Sequence, residues 1–321
     1  MRPYGGVRGA TGRRENIRLY LTVPEPSPTH ETAALIALLR RGDRAWHHYA
    51  EIVEARGSAL AVLEEGAPDE LDAPTLFPKA EGEDVDLEAI IAEIDRWRTD
   101  GISVLSVLDE RYPQNLRSIH DRPPLLFVRG ALADADERSV AVVGTRRATD
   151  AGIDHAREVA GGLVDAGYTV ISGLATGIDT AAHLGALDRG GRTLAVIGTG
   201  LRRAYPAANA PLQQRIAGEA AVVSQFWPDA PPSKRTFPMR NVVMSGLARA
   251  TVIIEASHTS GARMQARFAL EHGRPVFLLA SLLEHDWARE HAERPGTYVV
   301  EDAGEIVDHV ERLLAADTLT V

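Results

Sequence analysis

Two hydrophobic patterns divide the chain. In the region 29–65, "HETAALIALLR" and "AWHHYAEIVEARGSALAVLEEG" place apolar residues at helical spacing. The polar, proline-containing stretch "GAPDELDAPTLFPKAEGEDVD" reads as a linker. "LEAIIAEIDRWRTDG" then predicts an amphipathic helix, with Gly101 suited to its C-cap. Beyond it the period changes. "SVLSVLD" (103–109), "LLFVRG" (125–130), "SVAVVG" (139–144) and "YTVISG" (168–173) are short apolar runs ending at turn residues. "RTLAVIG" (192–198), "AAVVSQ" (220–225), "ATVIIEA" (250–256) and "RPVFLLA" (274–280) continue the series, with helical segments between most of them. Unbroken Val/Ile/Leu runs alternating with helices predict a mostly parallel sheet covered on both faces. The fold expected is α/β, a doubly wound Rossmann-like sheet over 99–316. A small helical N-terminal domain with its linker precedes it over 29–98, and a disordered basic tail occupies 1–28.

Composition narrows the chemistry. The chain has 321 residues, 45% of them hydrophobic, enough for a large core. It has no cysteine, which excludes disulfides, zinc–thiolate sites and cysteine nucleophiles and fits a reducing cytoplasm. No apolar run is long enough to span a bilayer, and the basic, glycine-rich start lacks a signal-peptide core. The net charge of −10 argues against a protein that coats DNA, so the placement of cations matters more than their number. Lys79 and Lys234 are the only lysines, and no Gly-Lys pair exists, which removes the P-loop.

In a doubly wound sheet, ligands bind beyond the carboxyl ends of the strands. The turns there read "GTRR", "SGLATGID", "GTGLRRAYP", "SQFWPDAPPSKRTFPMRN" and "EASHTSGAR". Together they gather Arg146, Arg147, Arg202, Arg203, Lys234, Arg235 and Arg240. They also carry Gly144, Gly173, Gly177, Gly198, Gly200 and Gly261, and the hydroxyls of Thr145, Ser172, Thr176 and Ser260. Glycines permit close backbone approach, helix N-termini offer N–H donors, and arginines make bidentate phosphate contacts. The reading is a basic, phosphate-binding crest. The dinucleotide fingerprint fails in each turn: "GTGLRR" carries Arg203 where a small residue is required, and "GLATG" has the wrong spacing. No cofactor is expected. In "PPSKRTFPMRN", cations interleave with Phe237, a pattern suited to single-stranded nucleic acid. The competing reading tucks Phe237 into the core and leaves the charges in water.

The segments "YPQNLRSIHDRPPLLFVRG", "VAVVGTRRAT", "VISGLATGIDTAAHLGAL", "TLAVIGTGLRRAYPAAN", "FPMRN" and "SGLARATVIIEASHTSGAR" occur in one order. Over residues 108–280 they resemble the DNA-processing protein A (DprA/Smf) family. The resemblance implies an extended Rossmann-like domain that binds and protects single-stranded DNA during recombination and DNA uptake. It further implies a homodimer, RecA recombinase as a partner, and no catalysis. The family's G-[ST]-R contact falls on Gly144, Thr145 and Arg146, and its lysine–phenylalanine pair on Lys234 and Phe237. Two departures stand out. "SLLEHDWAREHAERPGTYVV" replaces the Pro-Gly turn and G-x-N stretch expected after the strand at 274–280, and no winged-helix C-terminal domain is expected.

The crest residues expected to meet DNA are therefore Gly144, Thr145, Arg146, Arg147, Ser172, Gly173, Thr176, Arg202, Lys234, Arg235, Phe237 and Arg240. Glu255 is expected to hold a helix N-terminus or a crest arginine. Asp179 and His183, at i and i+4, are expected to form a structural hydrogen-bonded pair. Trp227 suits either a base or a core or dimer contact. His285 and His291 are expected in solvent, with spacing unsuited to metal. Two alternatives come from other classes. One is a nucleotide-binding sensor using the same crest. The other is a nucleoside-monophosphate phosphoribohydrolase-like enzyme, whose P-G-G-x-G-T-x-x-E motif is replaced here by "EASHTSGARMQ".

Overall fold

Strand β3 (Ser139–Val143) is the hinge of the architecture. Its side chains alternate between two cores: Val140 and Val142 join one hydrophobic cluster, Ala141 and Val143 the other. A strand buried on both faces needs apolar residues at successive positions, which explains the unbroken run. The computed structural model describes residues 28–65, 85–258 and 260–318, with side chains described as far as residue 313. The basic tail and most of the linker lie outside the described residues.

The chain builds outward from β3 in both directions. On one side lie β4 (Thr169–Ser172), β5 (Thr193–Val196) and β6 (Ala221–Ser224). On the other lie β7 (Ala250–Ile253), β8 (Val276–Leu279) and β9 (Thr297–Val300). All of these pairings are parallel. Beyond β6, β2 (Leu125–Gly130) and β1 (Ile102–Ser106) add antiparallel, giving nine strands in the order β1-β2-β6-β5-β4-β3-β7-β8-β9. The expected α/β class and mostly parallel sheet are therefore observed. Strand β9 falls in the divergent "SLLEHDWAREHAERPGTYVV" stretch, where the hydrophobic pattern alone gave no strand.

Helices α6 (Asp150–Asp165), α7 (Ile178–Asp188) and α12 (Ala303–Thr318) cover one face. Helices α9 (Thr236–Leu247) and α10 (Gly261–Glu271) cover the other. Four N-terminal helices, α1 (Pro28–Arg41), α2 (Trp46–Arg56), α3 (Ala59–Glu65) and α4 (Leu87–Thr99), share that second core. Their joint with the sheet is aromatic. Trp227 meets Trp46, Trp97 and Phe127 with ring centres 5.6, 6.3 and 5.7 Å apart. The Arg40 guanidinium lies 5.3 Å from the Trp227 ring. Trp227 is thus a core contact and is not presented to a base. Glu54 on α2 ties the same joint by accepting from Arg117 at 3.0 Å and from Arg122.

Candidate nucleic-acid interface

The order reverses between β3 and β7: the chain builds toward β6 from one and toward β9 from the other. At such a switch point the loops part and leave a crevice beyond the strand ends. A cleft of about 350 Å³ lies there, lined by Gly144–Arg147, by Phe237, Pro238, Arg240 and Asn241 of α9, and by Met264 and Gln265 of α10. A smaller slot of about 90 Å³ lies beside it, between Gly173, Thr176, Gly198, Thr199 and Tyr205. Arg146, Phe237 and Arg240 line both.

The turn after β3 is fixed by its backbone. The Thr145 N–H donates to Glu255 O at 2.7 Å, and Thr145 O accepts from Ile178 N at 3.2 Å. Gly177 sits at φ 78°, and a Cβ there would come within 2.4 Å of Thr145 O. Only glycine serves such a position. The Thr176 hydroxyl donates to Arg146 O at 3.3 Å. With its backbone held, Arg146 projects its guanidinium over the Phe237 ring, 5.1 Å from the centroid. Tyr205 flanks the same ring at 5.6 Å and is 45% exposed. Gly198 clears the ring's edge, since a Cβ there would meet Phe237 Cδ1 at 2.8 Å. The Phe237 ring is therefore neither a core residue nor free: it stands at the surface, partly buried between an arginine and a tyrosine.

The expected cations separate into two groups. Arg146, Arg147, Lys234 and Arg235 are exposed and have no ion pair among the described residues. Arg202 is pulled aside, accepted by Asp229 at 2.7 Å and by Asp100 of the α4 C-terminus. Arg203 donates to Asp229 O at 2.7 Å. Arg240 lies inside: its Nη1 donates to Gly173 O at 2.7 Å and Val196 O at 2.9 Å, and its Nε to Asn241 Oδ1. It therefore latches α9 onto the ends of β4 and β5. Ser172 is also buried and donates to Val142 O at 2.6 Å. Ser172, Gly173 and Arg240 form the frame under the crest, and Arg202 belongs to an acidic surface beside it.

Asp179 lies beneath this frame. Burial raises its carboxyl above the usual carboxylate range, against the pull of Arg240, the N–H groups of Ala175 and Gly144, and Arg146. Burial likewise lowers the Arg240 guanidinium, and Asp179 opposes that. His183 does not pair with Asp179. Its Nδ1 meets Thr193 Oγ1 at 2.7 Å, and burial, then Arg240, push it down to about 3. The i, i+4 spacing put both on one buried face, but each found a partner on a different strand end. Glu255 holds the N-terminus of α6, accepting from Thr149 N at 3.0 Å and Thr149 Oγ1 at 2.9 Å. His291 is buried against Trp287, not solvated; burial, then Arg294 and Arg263, lower its pKa.

Sequence reasoning passed over Tyr205, although an aromatic between "RR" and a proline in a crest loop carries the same signal as Phe237. It also passed over Met264, 37% exposed at the mouth of the larger cleft.

The sequence matches the model of the DNA recombination-mediator protein A family over residues 103–315, and the chain belongs to that family. It is 44% identical over 174 residues to DNA processing protein DprA of Streptococcus pneumoniae, covering 54% of this chain and 61% of that protein. It is 33% identical over 193 residues to DprA of Bacillus subtilis, covering 60% of this chain and 65% of that protein. These matches span less than two thirds of either relative. In three dimensions, the X-ray structure of DprA from S. pneumoniae superposes with a TM-score of 0.67 at 30% identity. It covers 88% of this chain and 98% of that one. A structure of DprA from Helicobacter pylori, described for its single-stranded DNA binding mode, gives 0.58 at 27% identity. It covers 66% of this chain and 96% of that one. Among the described residues, no helix is long and apolar enough to cross a membrane.

Proposed function

We propose that this chain is a single-stranded DNA-binding protein of recombination, gripping the strand across the crest at the β3/β7 switch point. The observation that carries the reading is the Arg146–Phe237 pair, standing between two clefts and surrounded by cations without carboxylate partners. Exposed rings bind any base through its π-face, and unpaired cations follow the phosphates, so recognition is tolerant of sequence. Arg146, Arg147, Lys234, Arg235 and Phe237 make the contacts. Gly144, Thr145 and Thr176 shape the track, and Ser172, Gly173 and Arg240 hold it from below.

Family membership supports extending the proposal to a homodimer that protects single strands in the cytoplasm and hands them to the RecA recombinase. The chain acts by binding, not catalysis: Asp179 and His183 are buried and committed to the frame. We also divide it functionally into the helices of 29–98 and the DNA-binding unit of 99–316. Fluorescence anisotropy with labelled oligonucleotides tests the reading. Single strands bind more tightly than duplex, and Arg146→Glu or Lys234→Glu largely abolishes binding. Equal affinity of wild type and both variants refutes the site. Release of free base from nucleoside monophosphates would establish the enzymatic alternative.

A further inference from the structure

Away from the crest, three side chains converge where helix α10 ends. His272 is the C-cap of α10, and His120 and Asp121 lie in the loop between α5 (Gln114–Arg117) and β2. One ligand atom from each lies within 4.8 Å of the other two. His272 Nε2 and Asp121 Oδ1 are 2.9 Å apart. We propose that His120, Asp121 and His272 form a binding site for a divalent transition-metal cation of the zinc type.

Three features favour a metal over a plain hydrogen-bonded cluster. The first is spacing. Zinc bonds of about 2.0–2.2 Å to imidazole nitrogen and carboxylate oxygen set ligand atoms roughly 3.3 Å apart in a tetrahedron. The 2.9 Å between Nε2 and Oδ1 opens to that value with a small movement, and the exposed His120 ring already lies 5.8 Å from the His272 ring. The second is the support behind His272. A metal-bound imidazole donates its other N–H to a fixed acceptor. Here Nδ1 lies 2.7 Å from the hydroxyl oxygen of Ser245, which is fully buried on α9. That hydroxyl in turn donates to Val242 O at 3.2 Å. In the tautomer with Nδ1–H, the imidazole donates to Ser245 and Ser245 to Val242, which leaves the Nε2 lone pair for the cation. The third is the helix end itself. The C-terminus of α10 carries partial negative charge from its free carbonyls, which stabilises a cation at the C-cap.

The metal takes the place between Nε2 and Oδ1, and the site needs no oxidant or reductant. Asp121 also lines a neighbouring cavity with His47 of α2. His47 is a further imidazole within electrostatic reach of both Asp121 and His120. A metal at the site would bridge the α5–β2 loop to the C-terminus of α10.

The test uses the full chain without a histidine tag, stripped with EDTA and titrated with zinc chloride by calorimetry, with bound metal counted by mass spectrometry. About one zinc binds per chain, and the thermal midpoint rises. His120→Ala and Asp121→Asn each weaken binding about tenfold or more, and Ser245→Ala weakens it by roughly tenfold through the imidazole it orients. His155→Ala, on the exposed face of α6, leaves binding unchanged. Circular dichroism checks that each variant is folded. Absence of a stoichiometric site in the wild type, or equal binding by folded His120→Ala and Asp121→Asn, overturns the proposal and leaves His272 and Asp121 as a hydrogen-bonded strut.

Discussion

The guanidinium of Arg146 rests 5.1 Å from the centre of the Phe237 ring, although 91 positions of chain separate the two residues. Cation–π attraction holds the arginine head on the ring, so each presents the other to a ligand. Removing either therefore damages both contacts. Phe237→Ala should cost about 1–3 kcal/mol of single-strand affinity. Arg146→Ala should cost a similar amount, and the double variant less than the sum of the two. A double-mutant cycle by fluorescence anisotropy measures this, and strictly additive losses would show that the pair does not act as a unit.

Salt dependence separates the gripping cations from the paired ones. For single strands, each phosphate contact contributes about −0.7 to the slope of log affinity against log salt. Neutralising Arg147, Lys234 or Arg235 should reduce the slope by about that amount each. Arg202→Ala should leave the slope alone, because Asp100 and Asp229 already hold its charge. A slope unchanged by all four substitutions would place the DNA elsewhere.

Arg240→Met is expected to act on stability first. It strips the buried Gly173 and Val196 carbonyls of a donor and leaves Asp179 without its cation. Leaving a buried acceptor unsatisfied costs about 1–3 kcal/mol. Urea unfolding should show that loss, and adding Asp179→Asn should recover part of it. A lowered DNA affinity with unaltered unfolding would instead make Arg240 a direct contact.

His183 gives the fold an acid-sensitive element. Its pKa is 6.5 in the unfolded chain and about 3 in the folded one, so between these values the unfolded state binds the extra proton. Stability is then fully present above pH 6.5 and falls as pH drops toward 3. This residue contributes up to about 1.4 kcal/mol per pH unit. His183→Gln should flatten that limb in unfolding experiments run from neutral to acid pH. An identical pH profile in wild type and variant would count against a neutral buried imidazole.

The sheet was readable because its signal is local. A parallel strand buried on both faces must be apolar at every position, and "SVAVV" and "ATVI" advertise this without reference to the rest of the chain. Strand β9 hid because its pattern is only partly buried. The crest was half legible. Loop positions after the strands located it, and Arg146, Lys234 and Phe237 stand at the surface there. What no motif disclosed was which arginines keep their charge free. Arg202 is silenced by Asp100, 102 residues away, and Arg240 by carbonyls at two strand ends. Those partners are set by tertiary packing, as is the meeting of His120 with His272.

The larger cleft of the crest draws on both wings of the sheet and is complete only with α10 in place. Arg146 is made early, Phe237 ninety-one residues later, and the α10 wall of the cleft later still. A ribosome therefore releases the first arginines well before the ring that organises them. Before α10 is made, every residue lining the smaller slot is present, but the larger cleft lacks one wall. A ligand that needs the larger cleft therefore meets only a chain whose last wall has been made.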